Sequence, residues 1–494
     1  MGDQHGIFIP DLEQFRRSAF RLKGLRCIHT TFTRGHGLTQ EDITDLAMLR
    51  LDALAVIEMD SGLPATTWMG HLLPPDDEQK KWKISRWPHP KDLPHDFLNF
   101  IKGLESDIER KCRLLGVGSA EERAILIDAS PGSTEDAGRT LDELEMLART
   151  ANVDVCARVH QRVNRYNPAL LMGKGKLQDI VISGLYLGAT MIVFNQNLTP
   201  VQANKIAQLT DLKVIDRTQL ILHIFARHAR TRGGKVQVEL AQLRYMLPRL
   251  VGKGTAMSRL IGGIGTKGPG ETKLEIDRRR IKQRIGALEK SLKQLEKQRT
   301  EMRKRRKRRN IPQVSIIGYT NTGKSTLLNR ITKAGVLAAN RLFATLDTAV
   351  RPLYLNGRQI LLSDTVGFIK NMPPEIMKAF KATLEELEEA WGFIHVLDSS
   401  SPYLVQEMET TQDLLEEMGL STKPAILVFN KIDLVDEETV TRLKKRWPGA
   451  VFISAAKGEG IRELICEIER IIPSSVQQGE TSLVSGLELT STPR

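Results

Sequence analysis

The chain has 494 residues and a formal net charge of +13 at pH 7, and 41% of its residues are hydrophobic. This length predicts about three domains, and the hydrophobic content fits a soluble protein with sizeable cores. No apolar run reaches the roughly 18 to 20 residues that a bilayer-spanning helix needs, which excludes a helical membrane protein. The four cysteines form no CxxC pair and the N-terminus has no signal or lipid-anchor pattern. We therefore expect a cytoplasmic protein without disulfides or a zinc site.

The first two regions differ in their patterns. Residues 1–120 predict a mixed α+β extension of unknown function, with a helix N-terminus at Thr39–Asp42 and an apolar strand at 54–59. Its six histidines stand at no metal-ligand spacing. Residues 121–230 alternate short apolar runs with helical patterns. This alternation predicts a small α/β domain with a parallel sheet.

Residues 231–310 are glycine-rich and then strongly basic. A glycine-rich loop at 262–270 separates two helical patterns, and apolar residues recur at steps of three and four in the second. This predicts an antiparallel helical hairpin or a short coiled coil. Residues 271–310 contain 17 Lys or Arg against 6 Asp or Glu, a local excess of 11 positive charges. A solvated helix face or a flexible linker would explain this, but seven consecutive cations favour contact with RNA phosphates.

A second basic segment lies upstream, at Met172–Lys176. It lacks the spacing and the terminal Ser or Thr of a P-loop, so we interpret it as a loop that touches RNA or as a plain turn. The polar residues 474–494 predict a disordered tail. The candidate RNA contacts are Lys174, Lys176, Lys267, Arg303, Lys304, Arg305, Arg306, Lys307, Arg308 and Arg309.

Residues 311–473 carry the motifs of a nucleotide-binding domain. A predicted strand leads into the pattern G-x-x-x-x-G-K-S at Gly318–Ser325, and a helical pattern follows. In this setting the glycines let backbone N–H groups surround phosphates, and the helix N-terminus adds positive potential. Lys324 is expected to reach the β- and γ-phosphates, and Ser325 to ligate Mg²⁺. This motif alone predicts an NTPase or a kinase.

A second motif, Asp364–Gly367, follows another predicted strand. The Asp364 carboxylate at the strand end is expected to hold a water on Mg²⁺, and the Gly367 amide to sense the γ-phosphate. Between the two motifs, the loop at 343–348 is expected to place a Thr hydroxyl on Mg²⁺. Thr345 is the first choice and Thr348 the alternative, since spacing does not separate them.

The base is predicted by a third motif, Asn430–Asp433, which also follows a strand. Its Asp433 carboxylate can accept from the N1–H and the exocyclic amine of guanine, whereas adenine would leave it unpaired at a cost of several kcal/mol. Lys431 is expected to lie over the ring and Asn430 to brace the loop. The segment Ser454–Ala456 is expected to contact the guanine oxygen. These elements in order predict a GTPase.

Two further positions bear on the reaction. Phe368 stands where many small GTPases carry a water-positioning Gln, and a phenyl ring cannot orient water by hydrogen bonding. Intrinsic hydrolysis is therefore expected to be slow. Asn321 in the P-loop either ligates a monovalent cation such as K⁺ or fits a tight turn. We expect turnover in K⁺ and in Na⁺ to distinguish the two.

From about residue 121 onward the sequence resembles the HflX family of translational GTPases. Apart from the G-domain motifs, the resemblance rests on Met172–Lys176, Asp216–Gln219, Gln237–Leu243 and the segment from Gly262 to Glu271, followed by Asp277–Arg279. The first region, with Arg26–Thr30 and His71–Pro75, resembles the N-terminal extension of longer bacterial members. That extension begins further upstream in those members, so we expect Met1 to be a late-assigned start.

The resemblance implies a ribosome-associated GTPase that binds the large ribosomal subunit and its rRNA. It implies that the protein helps to split stalled or stress-damaged ribosomes, with the small α/β domain and its hairpin near the peptidyl-transferase region. Because Phe368 cannot orient water, we also predict that the ribosome stimulates hydrolysis. It also assigns Mg²⁺ to Ser325 and Thr345 and GTP to residues 343–347. Two alternatives stay open, a GTPase of ribosome assembly or tRNA modification and a nucleotide-gated ribosome-silencing factor. We expect a monomer.

Together the patterns predict an α/β protein, in which a P-loop NTPase G domain with a mostly parallel sheet follows a small α/β domain and a basic helical hairpin. The residues expected to act in catalysis are Lys324, Thr345, Asp364 and Gly367. The expected GTP contacts are Gly318, Tyr319, Thr320, Asn321, Thr322, Gly323, Lys324, Ser325, Thr326, Phe343, Ala344, Thr345, Leu346, Asp347, Asp364, Thr365, Val366, Gly367, Asn430, Lys431, Ile432, Asp433, Ser454, Ala455 and Ala456.

Overall fold

The structure is a computed structural model. It describes residues 2–3, 6–7, 22–74, 81–93, 96–114, 122–210, 212–250, 273–308, 311–332, 343, 349–355, 357–365, 367–369 and 387–472. The chain divides into two compact units, which comprise Met1–Ile221 with Met246–Ile276 and Leu222–Tyr245 with Asp277–Arg494. The glycine-rich loop with Lys267, the basic residue Arg309 and the predicted tail lie outside the described residues, as do the side chains of Arg303 and of residues 305–308.

The first region forms a four-stranded sheet with two helices. Its elements are β1 (Gly2–Asp3), β2 (Gly6–Ile7), β3 (Arg26–Thr31), α1 (Gln40–Met48), β4 (Ala53–Asp60), β5 (Leu63–Leu72), β6 (Trp82–Trp87), a 3₁₀ turn (Pro90–Asp92) and α2 (Phe97–Leu114). The strand order is β3-β4-β5-β6, in which only the β3–β4 pair is parallel. Helix α1 begins at the predicted N-terminus, where Thr39 and Asp42 form a capping box, because each side chain accepts from the other's backbone N–H.

The next region is the predicted small α/β domain with a parallel sheet. Its elements are β7 (Arg123–Ser130), α3 (Thr134–Thr150), β8 (Asp154–Arg162), α4 (Lys174–Tyr186), β9 (Met191–Phe194), α5 (Pro200–Leu209), β10 (Lys213–Asp216) and α6 (Arg217–His228). The strands are all parallel, in the order β10-β9-β7-β8. The apolar runs at 124–127 and 191–194 form the two buried central strands, β7 and β9, which confirms the α/β prediction.

Helix α4 joins the first two sheets within the first unit. Its residues Ile182 and Tyr186 pack into the same core as Leu46 and Leu54 of the N-terminal region. The Lys81 ammonium also lies 2.7 Å from the Asp179 carboxylate of α4. The N-terminal region therefore shares a core with the α/β domain through one helix.

A helical region precedes the G domain, as predicted. Helix α7 (Arg232–Met246) is followed by a 3₁₀ turn (Leu247–Leu250) and by the 36-residue helix α8 (Lys273–Arg308). Glu239 of α7 accepts two hydrogen bonds from Arg284 of α8, at 2.7 and 2.9 Å. The connecting loop lies outside the described residues, so the antiparallel hairpin stays a prediction.

The G domain has one six-stranded sheet. Its elements are β11 (Gln313–Ile317), α9 (Lys324–Thr332), β12 (Ala349–Leu355), β13 (Arg358–Asp364), β14 (Gly392–Asp398), α10 (Leu404–Glu417), β15 (Ala425–Asn430), a 3₁₀ turn (Ile432–Leu434), α11 (Glu437–Arg446), β16 (Val451–Phe452) and α12 (Ile461–Ile471). The strand order is β12-β13-β11-β14-β15-β16, and only β12 is antiparallel. The predicted motifs that follow β11, β13 and β15 therefore lie at the carboxyl edge of a parallel sheet, where ligands bind in such folds.

In the part of the chain that the structure describes, no helix combines the length and the apolar character that a bilayer span requires.

Candidate nucleotide-binding site

The P-loop runs from the end of β11 to the start of α9, and two of its glycines are required by geometry. Gly318 has a φ of +143°, and a Cβ there would lie 2.2 Å from the Val396 carbonyl oxygen. Gly323 has a φ of +93°, and its Cβ would lie 2.3 Å from the Asn430 side-chain nitrogen. Any other residue would be strained and would collide with its neighbour. The loop is therefore tightly wrapped against β14 and the Asn430 loop.

Lys324 lies inside this loop. Its ammonium donates hydrogen bonds to the carbonyl oxygens of Gly318 at 3.1 Å and Tyr319 at 2.5 Å. Burial lowers the pKa of Lys324 to about 8, although the Asp364 and Glu407 carboxylates act in the opposite direction. The buried cation is thus poorly compensated, and a phosphate anion would stabilise it.

Ser325 and Asp364, which the sequence places at a magnesium site together with Thr345, lie side by side. The Ser325 hydroxyl donates to the Asp364 carboxylate at 2.7 Å, and the Asp364 residue is fully buried at the end of β13. A hydroxyl and a carboxylate side by side are hard oxygen donors, which Mg²⁺ prefers. The residues present therefore fit the ion: Ser325 would ligate it directly, and Asp364 would hold one of its water ligands. When bound, Mg²⁺ supplies positive charge to the β- and γ-phosphates.

The second motif, Asp364–Gly367, and the residue after it lie against the P-loop. A Cβ on Gly367 would lie 2.8 Å from Thr320 Cα and 3.0 Å from the Lys324 ammonium, so only glycine fits there. Phe368 donates its N–H to the Gly318 carbonyl at 3.2 Å and accepts from the Thr320 N–H at 2.9 Å. Gly367, which is expected to sense the γ-phosphate, thus lies beside the Lys324 ammonium, which is expected to bind that phosphate.

Asn430 connects the P-loop to the predicted guanine loop. Its side-chain amide donates to the Thr322 carbonyl at 2.8 Å, and its side-chain oxygen accepts from the Ala455 N–H at 2.9 Å. The residue is buried. Asn430 therefore lies between two loops, at the position where the sequence predicts a brace.

The base-recognition residues follow Asn430. Lys431 adopts a left-handed φ of 63°, and its ammonium lies 2.6 Å from the Asp398 carboxylate at the end of β14. Asp433 lies half-buried in the 3₁₀ turn Ile432–Leu434. The Asp398–Lys431 pair fixes the lysine side chain at the edge where the ring is expected. Sequence reasoning missed Asp398, although a carboxylate at a strand end was an available signal.

Most of the predicted GTP contacts come together at this edge, but five cannot be placed. Phe343 is buried, and its ring packs against Phe225 at a centroid distance of 4.7 Å, so only its backbone could contact a ligand. Sequence reasoning also missed Glu407, whose charge acts on Lys324. The predicted contacts outside the described residues are Ala344, Thr345, Leu346, Asp347 and Val366, and the alternative magnesium ligand Thr348 lies outside them as well.

Three family models match the chain. They are described as "GTP-binding GTPase N-terminal" for residues 138–226, "GTP-binding GTPase Middle Region" for residues 228–306 and "50S ribosome-binding GTPase" for residues 313–431. A GTP-binding protein from the archaeon Sulfolobus solfataricus, solved in complex with GDP, is 28% identical with a TM-score of 0.38. The match covers 71% of this chain and 98% of that chain.

The curated relatives are more similar. The GTPase HflX of Lacrimispora saccharolytica is 47% identical over 360 residues, which cover 73% of this chain and 85% of the relative. The GTPase HflX of Escherichia coli is 40% identical over 362 residues, with the same two coverages, 73% and 85%. Identity at this level extends well beyond the G-domain motifs into the preceding regions. The chain therefore belongs to the HflX family of ribosome-binding GTPases and hydrolyses GTP.

Proposed function

We propose that this protein binds the large ribosomal subunit through its rRNA and, on binding GTP, splits stalled or stress-damaged ribosomes, with hydrolysis for release. The match of the G domain to a 50S ribosome-binding GTPase is the observation that carries this proposal. We place the protein in the cytoplasm, as a monomer. The distribution of charge outside the G domain supports a polyanionic partner.

Helix α8 offers a row of cations for RNA. Lys290, Lys293 and Lys297 are all exposed and follow each other at steps of three and four, so they share one face of the helix. Like charges at this spacing repel one another and destabilise an isolated helix. An RNA backbone that runs along this face would remove the repulsion and release counterions.

The start of α4 offers a second contact. Lys174 and Lys176 are exposed in its first turn, where the helix dipole disfavours cations. A Cβ added at Gly173 or Gly175 would meet no atom within 4 Å, and neither glycine has a left-handed φ, so the fold does not require glycine at either position. Gly175 lies inside the helix, where glycine is less stable than alanine by about 1 kcal/mol. Close approach of a phosphate to this backbone would explain both features.

The G domain supplies the nucleotide switch. Lys324 and the P-loop amides grip the phosphates, Asp433 selects guanine, and Ser325 with Thr345 would hold Mg²⁺. Phe368 is buried and carries no group that could orient water. We therefore propose that hydrolysis is slow in the free protein and accelerated on the ribosome. A K⁺ at Asn321 stays a prediction, since its left-handed φ of 63° gives Asn a conformational reason to be there.

Sedimentation of purified ribosomes tests the proposal. Ribosomes mixed with the protein and GTP, GDP or a non-hydrolysable analogue are separated on sucrose gradients. We expect free subunits with GTP and with the analogue, and few with GDP. Binding without subunit formation would indicate a silencing factor, and retained activity of a Lys324→Ala variant would indicate the same.

The role of α8 is tested with matched variants. A Lys293→Gln, Lys297→Gln double variant is expected to bind the large subunit about tenfold more weakly, because two phosphate contacts are lost. The control is Lys102→Gln with Arg110→Gln, which removes two exposed cations from α2. Equal weakening by both pairs would show that only net charge matters.

A further inference from the structure

Arg330 connects the phosphate end of the site to the base end. It lies in α9, the helix that begins with Lys324, and sequence analysis gave it no role. Its Nε donates to the Ala455 carbonyl oxygen at 3.0 Å, and its Nη2 donates to the Ala456 carbonyl oxygen. One guanidinium fork thus holds two successive carbonyl groups of the loop at 454–456.

We propose that Arg330 is a specificity-determining positioning residue, which orients the backbone of this loop toward the 6-oxo group of guanine. A trans peptide points its C=O and its N–H in opposite directions. The Ala455 carbonyl and the Ala456 N–H belong to the same peptide unit. Because Arg330 holds that carbonyl on the α9 side, the Ala456 N–H is directed to the other side of the loop.

The neighbouring amides are already used within the protein. The Ala455 N–H donates to the Asn430 side-chain oxygen at 2.9 Å, and the Lys457 N–H donates to the Ser454 hydroxyl at 3.1 Å. Among the described residues, the exposed Ala456 N–H has no such acceptor. It is therefore the donor that Arg330 leaves available for a purine oxygen.

The rest of the loop fits around the guanidinium. Gly458, with a φ of +87°, packs beneath it, since a Cβ there would lie 3.5 Å from Arg330 Cζ. The Gly458 N–H closes the turn onto the Ser454 carbonyl at 2.7 Å. Charge-assisted hydrogen bonds from a planar fork are stronger and more directional than neutral ones. Arg330 thus fixes the peptide orientation from a rigid helix that also carries Lys324.

Paired nucleotides separate this role from a general structural one. GDP carries the 6-oxo group, whereas the 5′-diphosphate of 2-aminopurine riboside lacks both this group and the N1–H and keeps the exocyclic amine that Asp433 recognises. The missing N1–H affects wild type and variants alike, so the ratio of their affinities reports on the 6-oxo group. Binding of both is measured by calorimetry for the full-length wild type, Arg330→Gln and Arg330→Lys. We expect Arg330→Gln to bind GDP about tenfold more weakly and the 2-aminopurine nucleotide within about twofold of wild type. We expect Arg330→Lys to recover part of the loss.

A second arginine of the G domain supplies the control. Arg358→Gln removes an exposed arginine at the start of β13 and should change neither affinity. Equal weakening of both nucleotides by Arg330→Gln would show that the residue supports only the fold of the loop. Unchanged GDP affinity would show that the loop keeps its orientation without it. Either result overturns the proposal.

Discussion

Removing the Asn430 side chain should disconnect the P-loop from the guanine loop. The residue bonds the Thr322 carbonyl at 2.8 Å and the Ala455 N–H at 2.9 Å. Both partners are buried, at 1% and 2% exposure. Each buried polar group left unpaired costs about 1–3 kcal/mol, so Asn430→Ala leaves about 2–6 kcal/mol uncompensated. Water that enters the gap would bond the two groups in part and so reduce this cost, and we take about 3 kcal/mol as the expected cost of the substitution.

In the free protein the two loops can separate and expose these groups to water, whereas bound nucleotide requires both loops in place, so the cost falls on binding. About 3 kcal/mol corresponds to an affinity for GDP about 100-fold weaker, since each 1.4 kcal/mol is tenfold. Fluorescence titration with a labelled GDP measures it. Asn430→Asp is the matched control, because it separates the two bonds. It keeps an oxygen that can accept from the Ala455 N–H, but it replaces the amide that donates to the Thr322 carbonyl with a carboxylate oxygen, which that carbonyl repels. We expect it to be at least as damaging as alanine. An affinity loss below about threefold in Asn430→Ala would refute the bridging role.

Three further predictions concern the same pocket. Asp433→Asn should lower GTP affinity by at least about 100-fold and favour xanthosine triphosphate, which presents an oxygen in place of the guanine amine. Competition binding between the two nucleotides measures this change of preference, and a retained preference for GTP would contradict the prediction. Burial lowers the pKa of Lys324 to about 8, and a bound phosphate raises that pKa, so binding takes up a proton above this pH. GDP affinity should therefore fall about fourfold from about pH 7 to about pH 8.5, and calorimetry in buffers of different ionisation enthalpy should detect the uptake. Gly318→Ala should abolish nucleotide binding and lower the unfolding temperature, because its Cβ would lie 2.2 Å from the Val396 carbonyl oxygen. The control is Gly449→Ala, whose Cβ would meet no atom within 4 Å, and it should change neither nucleotide binding nor the unfolding temperature.

The fold of the G domain could be predicted because its signals are local. Gly318–Ser325 follows a strand and precedes a helix within one short segment, and the chemistry of the loop follows from that order. The apolar runs at 191–194 and 425–429 are buried parallel strands for the same reason: they are short, uninterrupted and bounded by polar turns. Such patterns do not depend on the rest of the chain.

The cross-connections could not be predicted because they join distant segments. Arg330 meets Ala455 across 125 residues, and Lys431 meets Asp398 across 33. Neither pair has a sequence spacing that distinguishes it from other charged or small residues. The shared core of the N-terminal region and α4 is similar, since Ile182 looks like an ordinary core residue of its own domain. Only the packing of the folded chain selects these partners.

Many small GTPases carry a water-positioning glutamine at the position of Phe368, but in this chain the side chain packs into the core instead. Its backbone is bonded to Gly318 and Thr320 of the P-loop, and its side chain is buried in a cluster with Phe393 and Leu415. The residue before it is the glycine expected to sense the γ-phosphate. Any movement of that glycine must therefore displace a ring held in a close-packed core, and such cores shift between discrete arrangements rather than deforming gradually. A glutamine at this position could orient water but could not fill the cluster. We therefore expect the apolar side chain to link the nucleotide state to β14 and α10, where Phe393 and Leu415 lie, and we expect a partner to position the attacking water.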